Sequence, residues 1–334
     1  MKKVLCICYV ILSILACKNE EKKVDIIKTK YPSDIVSSLE KWKILLGDGT
    51  HIDSLINYKK DDFFYAEQDS SKDWVVFKTP NSGITSKTSK NTRTELHQKK
   101  YWLPEEGGRL NATLKVKHVS TTGDATVASA FSVVIGQIHS DDGHENEPLK
   151  IYYKKFPGHT KGSVFWNYEI NTKGDNSGRW DFSTAVWGYD WSVVGKDANT
   201  NPIEPKNGIE LGEEFSYEVN VVDGEMHLTF SSLNHKTVRF TKSLIKTEFA
   251  SKSDIPKQVI DNYASRRAIS EEKENAYSKE LQYFKAGAYN QANGKSTKSK
   301  TYNGDIAKQY KNGSYAEVWF KEIDLSKGIK IIKN

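Results

Sequence analysis

The chain has 334 residues, of which 37% are hydrophobic and 11% aromatic, and a formal net charge of +6. That hydrophobic share excludes a disordered chain, and the length allows one large domain or two ordinary ones. The positive excess is mild. It is compatible with an anionic ligand, and with no nucleic-acid motif beside it, it does not point to nucleic acid as a partner.

Residues 1–16 read as a targeting segment. Lys2 and Lys3 form a basic start, and Val4 to Leu15 is an almost unbroken apolar run, too short to span a bilayer comfortably. The run ends Ile14-Leu15-Ala16-Cys17, which resembles the lipobox of bacterial lipoprotein signal peptides. The resemblance implies cleavage before Cys17 and a lipid on Cys17. The protein is then exported and anchored to a bacterial membrane, the outer one expected, on its periplasmic or cell-surface side. Simple secretion and an N-terminal transmembrane anchor are the alternatives. All three cysteines, Cys6, Cys8 and Cys17, lie in or at the end of this segment, so no internal disulfide is expected and a large core must stabilise the fold. Without residues 1–16, Lys+Arg drops from 49 to 47 against 43 acids, an excess of +4.

Residues 17–30 are charged and aperiodic and read as a tether, with a single domain over 31–334. A short helix is expected over Pro32 to Glu40, with Pro32 at its start and Ser33 or Asp34 as cap. Strands are expected at Trp42–Leu46, Trp74–Lys78, Arg93–His97, Ala112–Val119, Phe131–His139, Lys150–Phe156, Ser163–Ile170, Phe215–Val222, Met226–Phe230, Thr237–Thr241 as an edge, Tyr283–Gln291 and Tyr315–Ile323. Asp223-Gly224, between two of these, is the most specific hairpin signal in the chain. Many short strands with turn punctuation predict an all-β sandwich. Two stretches exceed a minimal sandwich. Residues 172–210 carry Trp180, Trp187, Tyr189 and Trp191, whose rings suit either stacking on sugars or pinning a loop to the core. Residues 251–280 are highly charged, and Ser270–Glu280 is expected to be helical.

Three strands share a layout. In Tyr283-Phe284-Lys285-Ala286-Gly287-Ala288-Tyr289-Asn290-Gln291, alternation puts Tyr283, Lys285, Tyr289 and Gln291 on one face and Phe284, Ala286 and Ala288 on the other. In Arg93-Thr94-Glu95-Leu96-His97, the polar face carries Arg93, Glu95 and His97. In Phe131 to His139, strict alternation puts Gln137 and His139 on a face with Val133 and Ile135. If these strands share one sheet, Arg, Glu, Gln, His, Lys and Tyr converge on one surface. Read singly, each residue also fits a plain role: Arg93 and Glu95 a surface ion pair, His139 a strand-end histidine, Lys285 a solvated amine.

Together, Arg93-Thr94-Glu95-Leu96, Gln137-Ile138-His139 and the Tyr283–Gln291 block resemble the three signature motifs of the alginate lyases of polysaccharide lyase family seven, in matching order, over roughly Trp42 to Ile323. The nine-residue block is the specific part; the Gln-Ile-His triplet alone signals nothing. The resemblance implies a jelly-roll β-sandwich of two antiparallel sheets with a concave substrate groove and a few short helices. It also implies depolymerisation of alginate by β-elimination at the 4-O-glycosidic bond, leaving a 4,5-unsaturated uronate at the non-reducing end, without an organic cofactor. Carried over, Arg93, Gln137, His139 and Tyr289 are catalytic, and Lys285, Glu95, His97, Gln291 and Tyr283 bind substrate. His97 stands where the family usually has a second arginine. Ile138 is a pointer to guluronate-containing stretches.

The chemistry suits the residues. The C5 proton of a uronate is weakly acidic because the neighbouring carboxylate resists further charge. Arg93 can neutralise that carboxylate as a charge-assisted pair, and Gln137 can donate to it as charge develops. His139 is a base of the right type, and Tyr289 can protonate the leaving O4. In guluronate the C5 proton and O4 lie on opposite sides of the ring, which calls for two groups. In mannuronate they lie on the same side, and Tyr289 can serve as both. Glu95 orients Arg93 in this reading. Asp141, Asp142, His144 and Glu145 match no zinc spacing; no metal is expected, although a surface calcium ion is compatible with them. The partners expected are alginate or its oligosaccharides and, through the lipid, a membrane, with the chain acting as a monomer. The two long insertions suggest a walled cleft and exolytic cutting. Other readings are a lyase for a related polyuronate such as glucuronan and a non-catalytic carbohydrate-binding protein.

Overall fold

A computed structural model describes residues 31–85, 89–141, 146–174, 176–264, 267–292 and 305–331. In chain order the strands are β1 (Trp42–Leu45), β2 (His51–Ile52), β3 (Phe64–Asp69), β4 (Lys72–Pro80), β5 (Arg93–Gln98) and β6 (Gly108–His118). There follow β7 (Ser132–Ser140), β8 (Leu149–Lys154), β9 (Lys161–Glu169), β10 (Asp181–Trp187) and β11 (Ile209–Glu210). The last are β12 (Phe215–Val222), β13 (Glu225–Ser232), β14 (Val238–Ser243), β15 (Gln282–Asn290) and β16 (Tyr315–Ser326).

They form two antiparallel sheets in a jelly-roll sandwich. One runs β10-β9-β8-β7-β15-β5-β1-β2, with β11 beside β9; the other runs β14-β13-β12-β6-β16-β4-β3. Alternation supplies the core between them. Leu149, Ile151 and Tyr153 of β8, Phe284, Ala286 and Ala288 of β15, and Ala112, Leu114 and Val116 of β6 all face inward. Their neighbours of opposite parity face out. The Asp223-Gly224 hairpin forms as its residues demand: both have positive φ (51° and 78°), the geometry of a type I′ turn, and Val222 pairs with Glu225.

Bulges correct strict alternation. On β7 the register slips between Val134 and Gly136. Val133, Ile135 and Ile138 therefore join the core, whereas Val134 packs outward with Tyr152, Phe165, Trp191 and Tyr289. The outward companion of Gln137 and His139 is thus Val134, not Val133 and Ile135. On β15 the extra residue is at Gly287, between Ala286 and Tyr289. Its φ is +143°, and a Cβ there would lie 2.6 Å from the Thr94 carbonyl oxygen, so only glycine fits.

Other expectations also change. The Pro32–Glu40 helix is two 3₁₀ turns, Pro32–Asp34 and Ser37–Lys41. Ser270–Glu280 is not helical. Its backbone docks against the end of β9: Thr172 bridges Glu272, and buried Glu272 accepts from Tyr168 Oη (2.6 Å) and Thr247 Oγ1 (2.7 Å). These buried polar contacts override helix propensity. The 172–210 stretch contains β10, and Trp180 and Trp187 are core residues, so the pinning role holds for these two. Trp191 stays half-buried on the outward side of the first sheet, edge-on to Tyr152.

Candidate active site

The three motif strands are neighbours, with β15 between β7 and β5. Register sets the site. Tyr283 pairs with His139 and Lys285 with Gln137 on one side; Lys285 pairs with His97, Gly287 with Glu95 and Tyr289 with Arg93 on the other. Opposed residues on one face bring their Cβ atoms within about 5 Å. Arg93, Glu95, His97, His139, Tyr283, Lys285, Tyr289 and Gln291 accordingly line one cleft of about 670 Å³. Gln137 is not on that lining; it is buried (1% exposed) against Glu95.

Glu95, 3% exposed, organises this flank. Its Oε1 accepts from Gln137 Nε2. Its Oε2 accepts from Arg93 Nη1 at 3.2 Å and lies 3.4 Å from Lys285 Nζ. Two cations thus share one carboxylate, leaving positive charge for an anionic ligand. The Arg93 guanidinium lies 3.7 Å over the Tyr289 ring centre, a cation–π contact, and donates to Ser89 Oγ at 3.0 Å. That oxygen is 3.4 Å from Tyr289 Oη. Burial pushes the Lys285 pKa down, with Arg93 adding to the effect and Glu95 opposing it. Gln137 Oε1 is buried and has no hydrogen-bond partner among the described residues. Gln291 Oε1 accepts from Asn91 Nδ2 at 3.3 Å, steadying its amide at the cleft edge.

His139 is 8% exposed. Its Nδ1 lies 2.7 Å from the Ser140 carbonyl oxygen. A carbonyl only accepts, so Nδ1 carries the proton and Nε2 the lone pair in the neutral ring. Burial and the Lys285 ammonium push its pKa down to about 4. The ring stacks on Tyr283 at 5.0 Å, and Tyr283 stacks in turn on His97 (4.0 Å) and Tyr101 (4.7 Å). His97 Nε2 is 2.9 Å from Tyr101 Oη. Burial, then Lys285, pushes the His97 pKa down to about 2, so the position that the resemblance gives to arginine holds a neutral ring.

The opposite flank is built of residues outside the three motifs. Lys150 Nζ is 2.5 Å from Glu169 Oε2, 3.1 Å from Asp181 Oδ2 and 3.6 Å from Glu147 Oε2, while Arg179 Nη1 is 2.9 Å from Glu169 Oε1. Burial opposes the Lys150 charge, but Asp181 and Glu169 hold its pKa well above the ordinary value. Burial also opposes ionisation of Glu147, yet Lys150 and His139 hold its carboxyl far below the usual range. Glu147 Oε1 lies 3.7 Å from His139 Nε2. Strand alternation already puts Lys150 on the outward face of β8, between Leu149 and Ile151; Glu147 and Ser89 carry no such signal.

Cys17, and with it the signal and tether, lies outside the described residues, as do Asp142, His144 and Glu145. Among the described residues no group of three or more His, Cys, Asp or Glu side chains is placed to hold a metal ion.

The family model for alginate lyase matches residues 37–327. An alginate lyase from Klebsiella pneumoniae is 31% identical over 268 residues, covering 70% of this chain and 73% of that protein. Among solved structures, the exolytic alginate lyase AlyA5 of polysaccharide lyase family seven, from Zobellia galactanivorans, is 67% identical. It superposes with a TM-score of 0.89 over 91% of this chain and 100% of its own. The crystal structure of a Klebsiella pneumoniae alginate lyase, 24% identical, has a TM-score of 0.61 over 89% of this chain and 99% of its own; that likeness shows the fold.

Proposed function

The chain belongs to the alginate lyase family, polysaccharide lyase family seven, and on that premise we propose that it removes short products from an alginate chain end, with His139 and Tyr289 moving the protons. Depolymerisation of alginate by β-elimination is the family's reaction and needs no cofactor. The observation that carries the residue roles is the shared cleft, in which a base with a defined lone pair, a phenol and a surplus cation meet.

A uronate carboxylate enters between Arg93 and Lys285, whose joint charge exceeds that of Glu95. Its charge compensates the two cations that depress the His139 pKa, so substrate strengthens the base. His139 Nε2 takes the C5 proton, the electron pair moves through the enolate-like intermediate into the C4–C5 double bond, and O4 leaves with the Tyr289 proton. Glu95 positions Arg93 and Gln137. His97, neutral and stacked, offers a ring and no charge. Ile138 is a core residue, so a guluronate preference rests on His139 acting opposite Tyr289 and not on contact with Ile138.

Two observations favour cutting at the chain end. The insertions meet beside β10, where Gln258 Nε2 donates to Asp190 Oδ2, and the first of them brings Arg179 to the cleft lining. The 67%-identical AlyA5 is described as exolytic. Cys17 is the proposed lipid attachment, which would hold a monomer at a bacterial outer membrane. The test follows absorbance of the unsaturated sugar on separate poly-guluronate, poly-mannuronate and glucuronan, with early products sized. One small product from the first minutes, on an alginate block, is expected. A ladder of mid-sized oligomers overturns the exolytic reading, and activity on glucuronan alone overturns the substrate.

A further inference from the structure

The cleft holds a conflict that the roles above do not resolve. Arg93 and Lys285 neutralise the substrate carboxylate, and the same charges disfavour a proton on His139. The groups facing His139 are Lys285 and Tyr283 from β15, Arg93, Glu95 and His97 from β5, the Ser140 carbonyl on its own strand, and Glu147 from the segment before β8. Of these, Glu147 is the anion nearest the lone-pair nitrogen, 3.7 Å from Nε2. It is 16% exposed and is held from behind by Lys150 at 3.6 Å, which Glu169 and Asp181 fix in turn.

We infer that Glu147 is the counter-ion of the His139 imidazolium formed when the C5 proton is taken. This rests on His139 being the base. In the resting ring Nδ1–H donates to the Ser140 carbonyl and the Nε2 lone pair is open. When the C5–H bond breaks, Nε2–H forms with the Glu147 carboxylate 3.7 Å from that nitrogen, so the charge of the cation is compensated there while Nδ1–H keeps the Ser140 carbonyl. The proton passes to water after the unsaturated product leaves, and Tyr289 regains its own from solvent. Glu147 does not itself take the proton, because Lys150 and His139 keep its carboxyl ionised. It acts through His139 and is a positioning residue.

The test compares Glu147→Gln and Glu147→Asp in the full chain, with kcat and KM measured against pH on poly-guluronate and poly-mannuronate. Loss of the carboxylate is expected to lower kcat on poly-guluronate roughly tenfold, with KM moving less than about twofold, and to shift the acid limb of kcat/KM to lower pH. The loss is expected to be several-fold smaller on poly-mannuronate, where Tyr289 serves as both base and acid. Glu147→Asp keeps the charge and is expected to recover part of the rate and of the limb. An unmoved limb, an equal loss on both blocks, or a Gln defect that Asp does not lessen overturns the inference and leaves Glu147 a wall residue. His139→Asn separates the two readings. If it keeps the guluronate activity, the base assignment fails. If it is inactive while Glu147→Gln matches the unaltered enzyme, only the counter-ion fails.

Discussion

On the β15–β5 flank of the cleft, Arg93 and Lys285 share one buried carboxylate, Glu95; on the β8–β10 flank, Lys150 is shared among Glu169, Asp181 and Glu147. The first flank has charge to spare for a uronate. The second is compensated internally, Lys150 and Arg179 standing among Glu169, Asp181 and Glu147, and has little net charge to offer. A uronate carboxylate is therefore drawn to the first side rather than to the second, which gives the cleft a direction. The two flanks also differ in kind: the first is built for chemistry, the second for holding its own charges in place.

The largest effect should come from the first flank. Tyr289→Phe removes the proton donor while keeping the ring under Arg93, and kcat is expected to fall on the order of 10²–10⁴-fold with an unchanged circular dichroism spectrum; a rate near that of the unaltered enzyme would break the assignment. Next comes Lys150→Met on the second flank. It leaves buried Glu169 with Arg179 as its one cation and half-buried Asp181 without its ammonium, and a urea melt is expected to show a loss of about 3 kcal/mol. A milder contrast lies in pH. His97 and His139 have folded pKa values pushed to about 2 and about 4, below the ordinary 6.5. Groups depressed in this way contribute stability that is present above pH 6.5 and lost as the pH falls below it, because the unfolded chain then binds more protons. Thermal midpoints should drop between neutral pH and pH 5, and His97→Gln should flatten that slope by at most roughly 1.4 kcal/mol per pH unit. The smallest effect belongs to the outer sheet, where the Arg109–Glu218 pair is partly exposed. Arg109→Ala is expected to cost less than about 1 kcal/mol and to leave turnover alone.

The same contrast explains what could be read from the sequence. β5, β7 and β15 were legible because each motif carries its polar face within a few residues, and antiparallel register then brings Lys285 opposite Gln137 and His97. The inward and outward sides of β7 depart from strict alternation at Val133 and Ile135, where the one mark of the bulge in the sequence is the neighbouring Gly136. β10 was hidden in a stretch of Gly, Asp, Asn and Ser whose Trp residues suited two roles. Ser270–Glu280 has helical composition, but Glu272 is drawn into buried bonds with Tyr168 and Thr247, which no local pattern announces. Glu147 was illegible for the same reason: its partners Lys150 and His139 are fixed by packing between strands, not by spacing along the chain.

The column of rings running from Tyr101 and His97 through Tyr283 to His139 has a consequence in a magnetic field. His139 lies against the face of Tyr283, so the circulating π electrons of that ring shield its carbon-bound protons. Those protons are expected to resonate upfield of the corresponding signals of exposed histidines among the eight in the chain. The site thus carries its own label. A proton spectrum recorded against pH can follow this imidazole, beside His97 on the same ring and His118 stacked on Tyr315, without any added probe, and a substitution at Tyr283 should move the His139 and His97 signals while leaving that of His118.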